Sequence, residues 1–304
     1  MSLCSVTDVL QTGRTSRCVR RSLLRSALRW SVVIAAGIIA SVSTGGAGRA
    51  EGPPPGYKLV WSDEFNYQGL PDPAKWGYEE GFVRNHESQY YTKARLENAR
   101  VENGMLVIEG RKERFEIPHP GRHGEVAQYT AASLITLEKA SWKYGRVEVR
   151  AKLPHGKGVW PAIWMMGADA TRVGWPACGE IDVMEFVGHT PDHVFATVHW
   201  GKDGQHHQSA GNSLKVKTPW DDFHVYAVEW TPEQMLFYYD QTCYHRFDVK
   251  KADQKDGNPF RRPHYLLLNL ALGGEWGGKI DDSMLPQKFL IDYVRVYQKV
   301  SSGK

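Results

Sequence analysis

Three carboxylates stand within six residues of one another in the stretch GEIDVMEF (179–186): Glu180, Asp182 and Glu185. Acids this close repel, and at least one of them should hold a proton. Crowding of that kind is expected where carboxylates do chemistry. It suits glycoside hydrolysis with retention, which uses an ionised carboxylate as nucleophile and a protonated one as acid, about 5–5.5 Å apart across the scissile bond. A third acid between them can hydrogen-bond the nucleophile and keep the two pKa values apart. A solvated acidic face would carry the same spacing. The apolar residues interleaved with the acids argue for one polar and one buried face instead.

The step of two and then three is an obstacle, because strict alternation would put Glu185 on the face opposite Glu180 and Asp182. A β-bulge removes it, since one extra residue resets the alternation. With Met184 as that extra residue, all three acids share a face.

Residues that could accompany the acids lie nearby in the sequence. Trp160 and Trp164 (VWPAIW), Trp175 (GWPACGE) and Trp276 (GGEWGG) sit near turns. Sugar rings pack their C–H faces on such aromatic surfaces. Trp61, Trp142 and Trp230 fall in strand patterns and read as core, whereas Trp175 and Trp276, flanked by Gly and Pro, read as exposed. His199 closes the segment VFATVH, where it can bond a carboxylate or a sugar hydroxyl or serve as a satisfied structural histidine. His206 and His207 lack metal-ligand spacing and read as solvated loop residues. There is no Gly-rich phosphate loop and no GxSxG elbow, so nucleotide-dependent and serine-hydrolase chemistry have no support.

The elements that must position these residues are strands. RVEVRAKL sets Val147, Val149, Ala151 and Leu153 against Arg146, Glu148, Arg150 and Lys152, a period of two. Similar segments recur from YKLVW to FLIDYVRVYQ, separated by polar turns such as PHGKG and TPEQ, with no long amphipathic helix. An all-β sandwich or jelly roll is expected. Residues 57–299 should form one domain, after a lead-in at 51–56 and before a tail at 300–304.

Residues 1–50 are of another kind. Arginines precede the thirteen-residue apolar run WSVVIAAGIIASV, and small residues follow it. This is the layout of an export signal, and the run is short of the roughly 20 residues that span a bilayer. VRRSLLR also resembles a twin-arginine signal, so the Sec and Tat routes both stay open. The segment holds seven Arg and one Asp, a net +6, which leaves 4 − 6 = −2 for the rest of a chain whose total is +4. A nucleic-acid partner therefore lacks its electrostatic footprint. Of four cysteines, Cys178 and Cys243 lie outside the leader, and a bridge between them or two separate thiols are both open.

GEIDVMEF resembles the E-x-D-x-x-E motif of glycoside hydrolase family 16 in its bulged, laminarinase-like form. WSDEFN (61), RNHESQYYT (84), YGRVEVRAKLPHGKGVWPAIWMMG (144), GWPACGEIDVMEFVGH (174), VHW (198) and LNLALGG are similar to that family as well. The resemblance implies a jelly roll of two curved antiparallel sheets with a concave cleft, acting on internal β-1,3 bonds of glucans such as laminarin, and on mixed β-1,3-1,4-glucan as a further substrate. It implies Glu180 as nucleophile, Asp182 as its assisting acid and Glu185 as acid/base. Trp160, Trp164, Trp175, His199 and Asn85 would line the cleft, with Trp276 a further candidate. No catalytic cofactor is implied. A structural calcium is, with Glu64, the Gly104 carbonyl and Asp292 as ligands. A monomer is expected, with β-glucan as its partner and no nucleic acid or nucleotide. Ser133 departs from the pattern, because many laminarinases carry Arg there, and subsite preference is open at that point. Galactan cleavage, transglycosylation and non-catalytic glucan binding are the rival readings.

Overall fold

The alternation in RVEVRAKL is realised in a strand, Gly145–Lys152, whose Val147, Val149 and Ala151 are buried. Strands dominate the rest of the chain. A computed structural model describes residues 52–121 and 124–300. The expected export segment 1–50 and tail residues 301–304 lie outside the described residues.

The first strands are β1 (Tyr57–Asp63), β2 (Gly77–Glu79), β3 (Tyr90–Tyr91), β4 (Ala99–Glu102), β5 (Met105–Gly121) and β6 (Gly124–Ala131). Next come β7 (Ser133–Ile135), β8 (Gly145–Lys152), β9 (Val159–Gly167), β10 (Glu180–Glu185), β11 (His193–Trp200) and β12 (Gln208–Lys215). The last are β13 (His224–Trp230), β14 (Gln234–Tyr239), β15 (Thr242–Asp248), β16 (His264–Leu272) and β17 (Gln287–Lys299). Two four-residue helices, α1 (Ala170–Val173) and α2 (Gly274–Gly277), are the α-helical turns among the described residues. None of the described helices is long and apolar enough to cross a membrane.

The strands form the expected all-β jelly roll. One sheet runs β12-β11-β10-β9-β16-β7-β2, and the other β15-β14-β13-β8-β17-β5-β6-β3, with β1 on β17 and β4 on β5. Pairing is antiparallel except between β3 and β6. The main core lies between the sheets, drawing Val147 and Val149 from β8, Ile163 and Met165 from β9, Ile181 from β10 and Val294 and Val296 from β17.

Strand β16 explains why YLLLNLAL reads as an unbroken apolar run. All nine of its residues are buried. Leu266, Leu268, Leu270 and Leu272 enter the main core, while Leu267, Asn269 and Ala271 face the other way. A fully buried leucine contributes roughly 1.5–3 kcal/mol, so four of them easily offset the burial of Asn269. Asn269 is moreover satisfied: its Oδ1 accepts from Trp164 Nε1 at 2.7 Å and its Nδ2 donates to Tyr91 Oη at 2.9 Å.

Trp142 and Trp230 are core residues and Trp61 packs against that core, as read from the sequence. Cys178 is buried and Cys243 exposed, and both are free thiols.

Candidate active site

Strand β10 sits between β9 and β11, with Asp182 opposite Trp164 on one side and Thr197 on the other. Beyond Asp182 the register slips. Met184 pairs with Ile163 and Glu185 with Ala162, so Val183 has no partner on β9. Toward β11 neither Val183 nor Met184 is matched, and Glu185 meets Phe195. The bulge is thus present, but the residue unmatched on both sides is Val183 rather than Met184. Packing explains the difference: Val183 and Met184 are both fully buried in the main core. Two successive residues point inward, and Glu185 returns to the face that carries Glu180 and Asp182.

Gly179 brings the chain into β10 with φ +81°, and an added Cβ would lie 2.8 Å from the Pro259 Cβ. A side chain there is both strained and crowded. Gly179→Ala should lower stability by about 1–3 kcal/mol and reduce activity by displacing Glu180; a denaturation midpoint equal to the parent's would show that this close approach is not needed.

Each acid has its own partners. Trp175 Nε1 donates to Glu180 Oε2 at 2.6 Å, and Trp160 Nε1 donates to Glu185 Oε1 at 3.0 Å. His199 Nε2 lies 3.2 Å from Asp182 Oδ2, an oxygen without a well-aligned hydrogen bond. The other His199 nitrogen, Nδ1, is 2.8 Å from His207 Nε2. Those ring centroids are 5.1 Å apart at an interplanar angle of 20°, which places the rings side by side rather than face to face.

Burial sets the electrostatics. It pushes Glu180 up to about 8, with Asp182 adding to the rise and His199 and Trp175 opposing it. Asp182 is pushed up to about 7 by burial, against a hydrogen bond to Glu180. Glu185 is raised well above its ordinary value by burial and then by Asp182, opposed by the Trp160 hydrogen bond. Burial thus drives all three carboxyls toward their protonated forms. Trp175→Phe removes a donor to the Glu180 carboxylate, so its pKa should rise further and the acidic limb of kcat/KM should move up by about 0.5–1 pH unit. An unmoved limb would show that the indole does not tune Glu180.

The acids lie on a cleft of about 690 Å³, lined also by Asn85, Trp160, Trp164, Trp175, His199 and Trp276. All six expected binding residues are thus brought together. Trp175 is the most open of the four tryptophans, 46% exposed. Trp276 comes from α2 and meets the Trp160 ring edge-on at 5.6 Å. Asn85 has φ +54° and donates from Nδ2 to Glu87 Oε1 at 3.3 Å. Arg84, Glu87 and His207 line the cleft too, and sequence reasoning missed them. Arg84 and Glu87 lie inside the motif RNHESQYYT, so adjacency to Asn85 was the available signal. His207, read as a solvated loop residue, is exposed yet reaches both His199 and Trp175.

Ser133 faces this cleft region through Glu79, donating from Oγ to Glu79 Oε2 at 2.6 Å. The other Glu79 oxygen accepts from Arg84. Burial works against the Arg84 charge, but Glu79 outweighs it and holds the guanidinium above its usual pKa.

The residues implied for calcium lie around one stretch of β17, since Asp63 pairs with Val294 and Leu106 with Ile291. Both oxygens of Glu64 accept from Arg295, at 2.8 and 2.9 Å, and Asp292 Oδ2 accepts from Arg150 at 2.9 Å. The Glu64 side chain does not fit a cation ligand. Backbone carbonyls, with Gly104 in a turn at φ +74°, are the hard oxygen donors that suit one.

Residues 86–295 match the family model described as glycosyl hydrolases family 16. The chain is 44% identical over 296 residues to a β-glucanase of Rhodothermus marinus, covering 93% of this chain and 97% of that one. It is similar in structure to the laminarinase from Rhodothermus marinus, with TM-score 0.71 and 46% identity over 81% of this chain and 98% of that one. A non-specific endo-β-1,3(4)-glucanase, SCLam, co-crystallised with 1,3-β-D-cellotriosyl-glucose, matches with TM-score 0.73 and 46% identity over 81% of this chain and 96% of its own. With its bulged acid triplet, its cleft and its fold, this chain belongs to family 16 of the glycosyl hydrolases.

Proposed function

We propose that the protein is an exported, retaining endo-β-1,3-glucanase. The observation that carries the reading is the bulge at Val183 and Met184, which sets Glu180, Asp182 and Glu185 on one cleft face, two of them held by indole donors. In the first step the Glu180 carboxylate attacks the anomeric carbon while the Glu185 proton passes to the departing glycosidic oxygen. The bond to the leaving sugar breaks as the ester to Glu180 forms. Glu185, now ionised, takes a proton from water, and the resulting hydroxide displaces Glu180 with net retention. His199 supports the Glu180 charge before the first step and after the second, with Asp182 as the assisting acid beside it.

The cleft continues on both sides of β10, past His199 on β11 and past Trp164 on β9. That layout supports cleavage within a chain rather than from its end. The β-1,3 preference and mixed-linkage cleavage both draw on SCLam, whose name specifies an endo-β-1,3(4)-glucanase. The test is product analysis on laminarin, curdlan and barley β-glucan with the chain lacking residues 1–50. Medium-length oligosaccharides with retained β-anomers are expected from laminarin; an enzyme inert on all three glucans sinks the reading. A calcium held mainly by carbonyls near β17 belongs to the same reading, and it predicts a higher Tm when Ca²⁺ is added after EDTA treatment. An unchanged Tm removes it.

A further inference from the structure

Arg84 follows β2 and extends over the cleft floor, where its guanidinium carbon lies 4.9 Å from the Trp164 ring centroid. About a fifth of its side chain is exposed, on the wall of the cleft. Its one ion-pair partner among the described residues is Glu79, which contacts Nη2. Nη1 is enclosed, with no acceptor among the described residues, so any donor offered to a substrate lies on the rest of the side chain. A charged donor left unsatisfied in this way is costly, and an arginine carries five such donors in a rigid fork. Arg84 therefore brings a donor fork with few acceptors of its own to the cleft wall beside Trp164.

The surrounding charge says which sugar. Glu79 already balances Arg84 and is held in place by Ser133. Glu87, a second acid, also acts on Arg84 and is itself gripped by Gln89 and Tyr91. Acids outnumber the cation at this end of the cleft, so a sulfate or carboxylate on the substrate would meet repulsion.

We infer that Arg84 is a specificity-determining residue that donates to a hydroxyl of an uncharged sugar beside Trp164, and that Glu79 neutralises it so that anionic glycans are turned away. This deepens the glucanase reading and rests on it. A site built to bond a hydroxyl discriminates by the donor it leaves unpaired when that hydroxyl is missing. Glu79 provides the complementary exclusion by removing the net positive charge that would attract sulfate.

The test compares the wild type with Arg84→Gln, Arg84→Lys and Glu79→Gln, all checked by Tm. Substrates are laminarin, chemically sulfated laminarin, and an aryl β-glucoside too short to reach Trp164. Arg84→Gln should lower kcat/KM on laminarin by about 10- to 100-fold, chiefly through KM, with little effect on the short glycoside. Arg84→Lys keeps the charge but not the fork, and should fall between the two; it carries the test if the glutamine variant does not fold. Glu79→Gln should raise the ratio of sulfated to plain laminarin turnover at least about tenfold at low salt, with the gain shrinking as salt screens it. Equal losses on long and short substrates would reduce Arg84 to a packing role and overturn the inference. An unchanged sulfate ratio in Glu79→Gln would overturn the exclusion. A wild type that cleaves no glucan is a different outcome, which rejects the parent reading.

Discussion

Replacing Glu180 by glutamine is expected to lower kcat/KM on laminarin by on the order of 10⁴-fold or more, because it removes the group proposed to form the covalent intermediate. The same variant should be more stable than the wild type at pH 8. The argument is one of proton linkage. Burial raises the folded-state pKa of Glu180 to about 8, so the stability linked to its protonation is complete below the unfolded value near 4.5 and is lost as pH rises through 8. Glutamine stays neutral throughout, so the gap in Tm between variant and wild type should open above pH 5 and reach several degrees at pH 8, at about 2–4 °C for each kcal/mol. An inactive protein that melts later than its parent cannot owe its inactivity to misfolding. Chemical rescue gives a second readout: in Glu180→Gly, azide can occupy the vacated space and attack the anomeric carbon once, yielding an α-glycosyl azide. Laminarin activity within tenfold of the wild type would remove Glu180 from the nucleophile's role.

Glu185→Gln tests the other half of the pair. Loss of the proton donor should cost about 10²- to 10⁴-fold on laminarin, whose leaving group is an alcohol. An aryl glycoside with a dinitrophenolate leaving group departs without a proton, so the first step on that substrate should be nearly unchanged. The pH profile separates the roles further. In the wild type activity should fall at high pH as Glu185 gives up its proton, and burial together with Asp182 sets that limb well above the ordinary carboxylate range. In the variant the alkaline limb should vanish while the acidic limb, set by Asp182 and Glu180, stays. An intact alkaline limb in Glu185→Gln would mean that another group is the acid.

Both predictions concern residues that the sequence presents openly. GEIDVMEF shows three acids among apolar neighbours, and its uneven spacing already requires a bulge. Which residue bulges was not legible, because Val183 and Met184 are equally apolar and the choice depends on how β9 and β11 pair with β10. The tryptophans divide in the same way. Their flanking residues separate core Trp142 and Trp230 from open Trp175, whereas the acid that each cleft indole bonds is a matter of strand register.

Other parts of the site were hidden for a related reason. Arg84, Glu79 and Ser133 form one chain of contacts although Ser133 and Glu79 are 54 positions apart. No local pattern announces such a meeting. Glu64 is a further case, since its carboxylate is engaged by Arg295 from β17, 231 positions away. His207 lies in a polar loop and reads as solvent-facing until His199 is seen beside it.

By itself the sequence determined the all-β class, the buried and open faces of its strands, the acid triplet and the need for a bulge within it. These follow from backbone geometry, in which alternate side chains share a face whatever the strand pairs with. The tertiary structure alone decided that Val183 is the unmatched residue, which donor holds which carboxylate, and that Arg84 is neutralised in the cleft. Those features arise from pairing between distant segments and from desolvation of the groups they enclose, and neither is a property of a residue's neighbours along the chain.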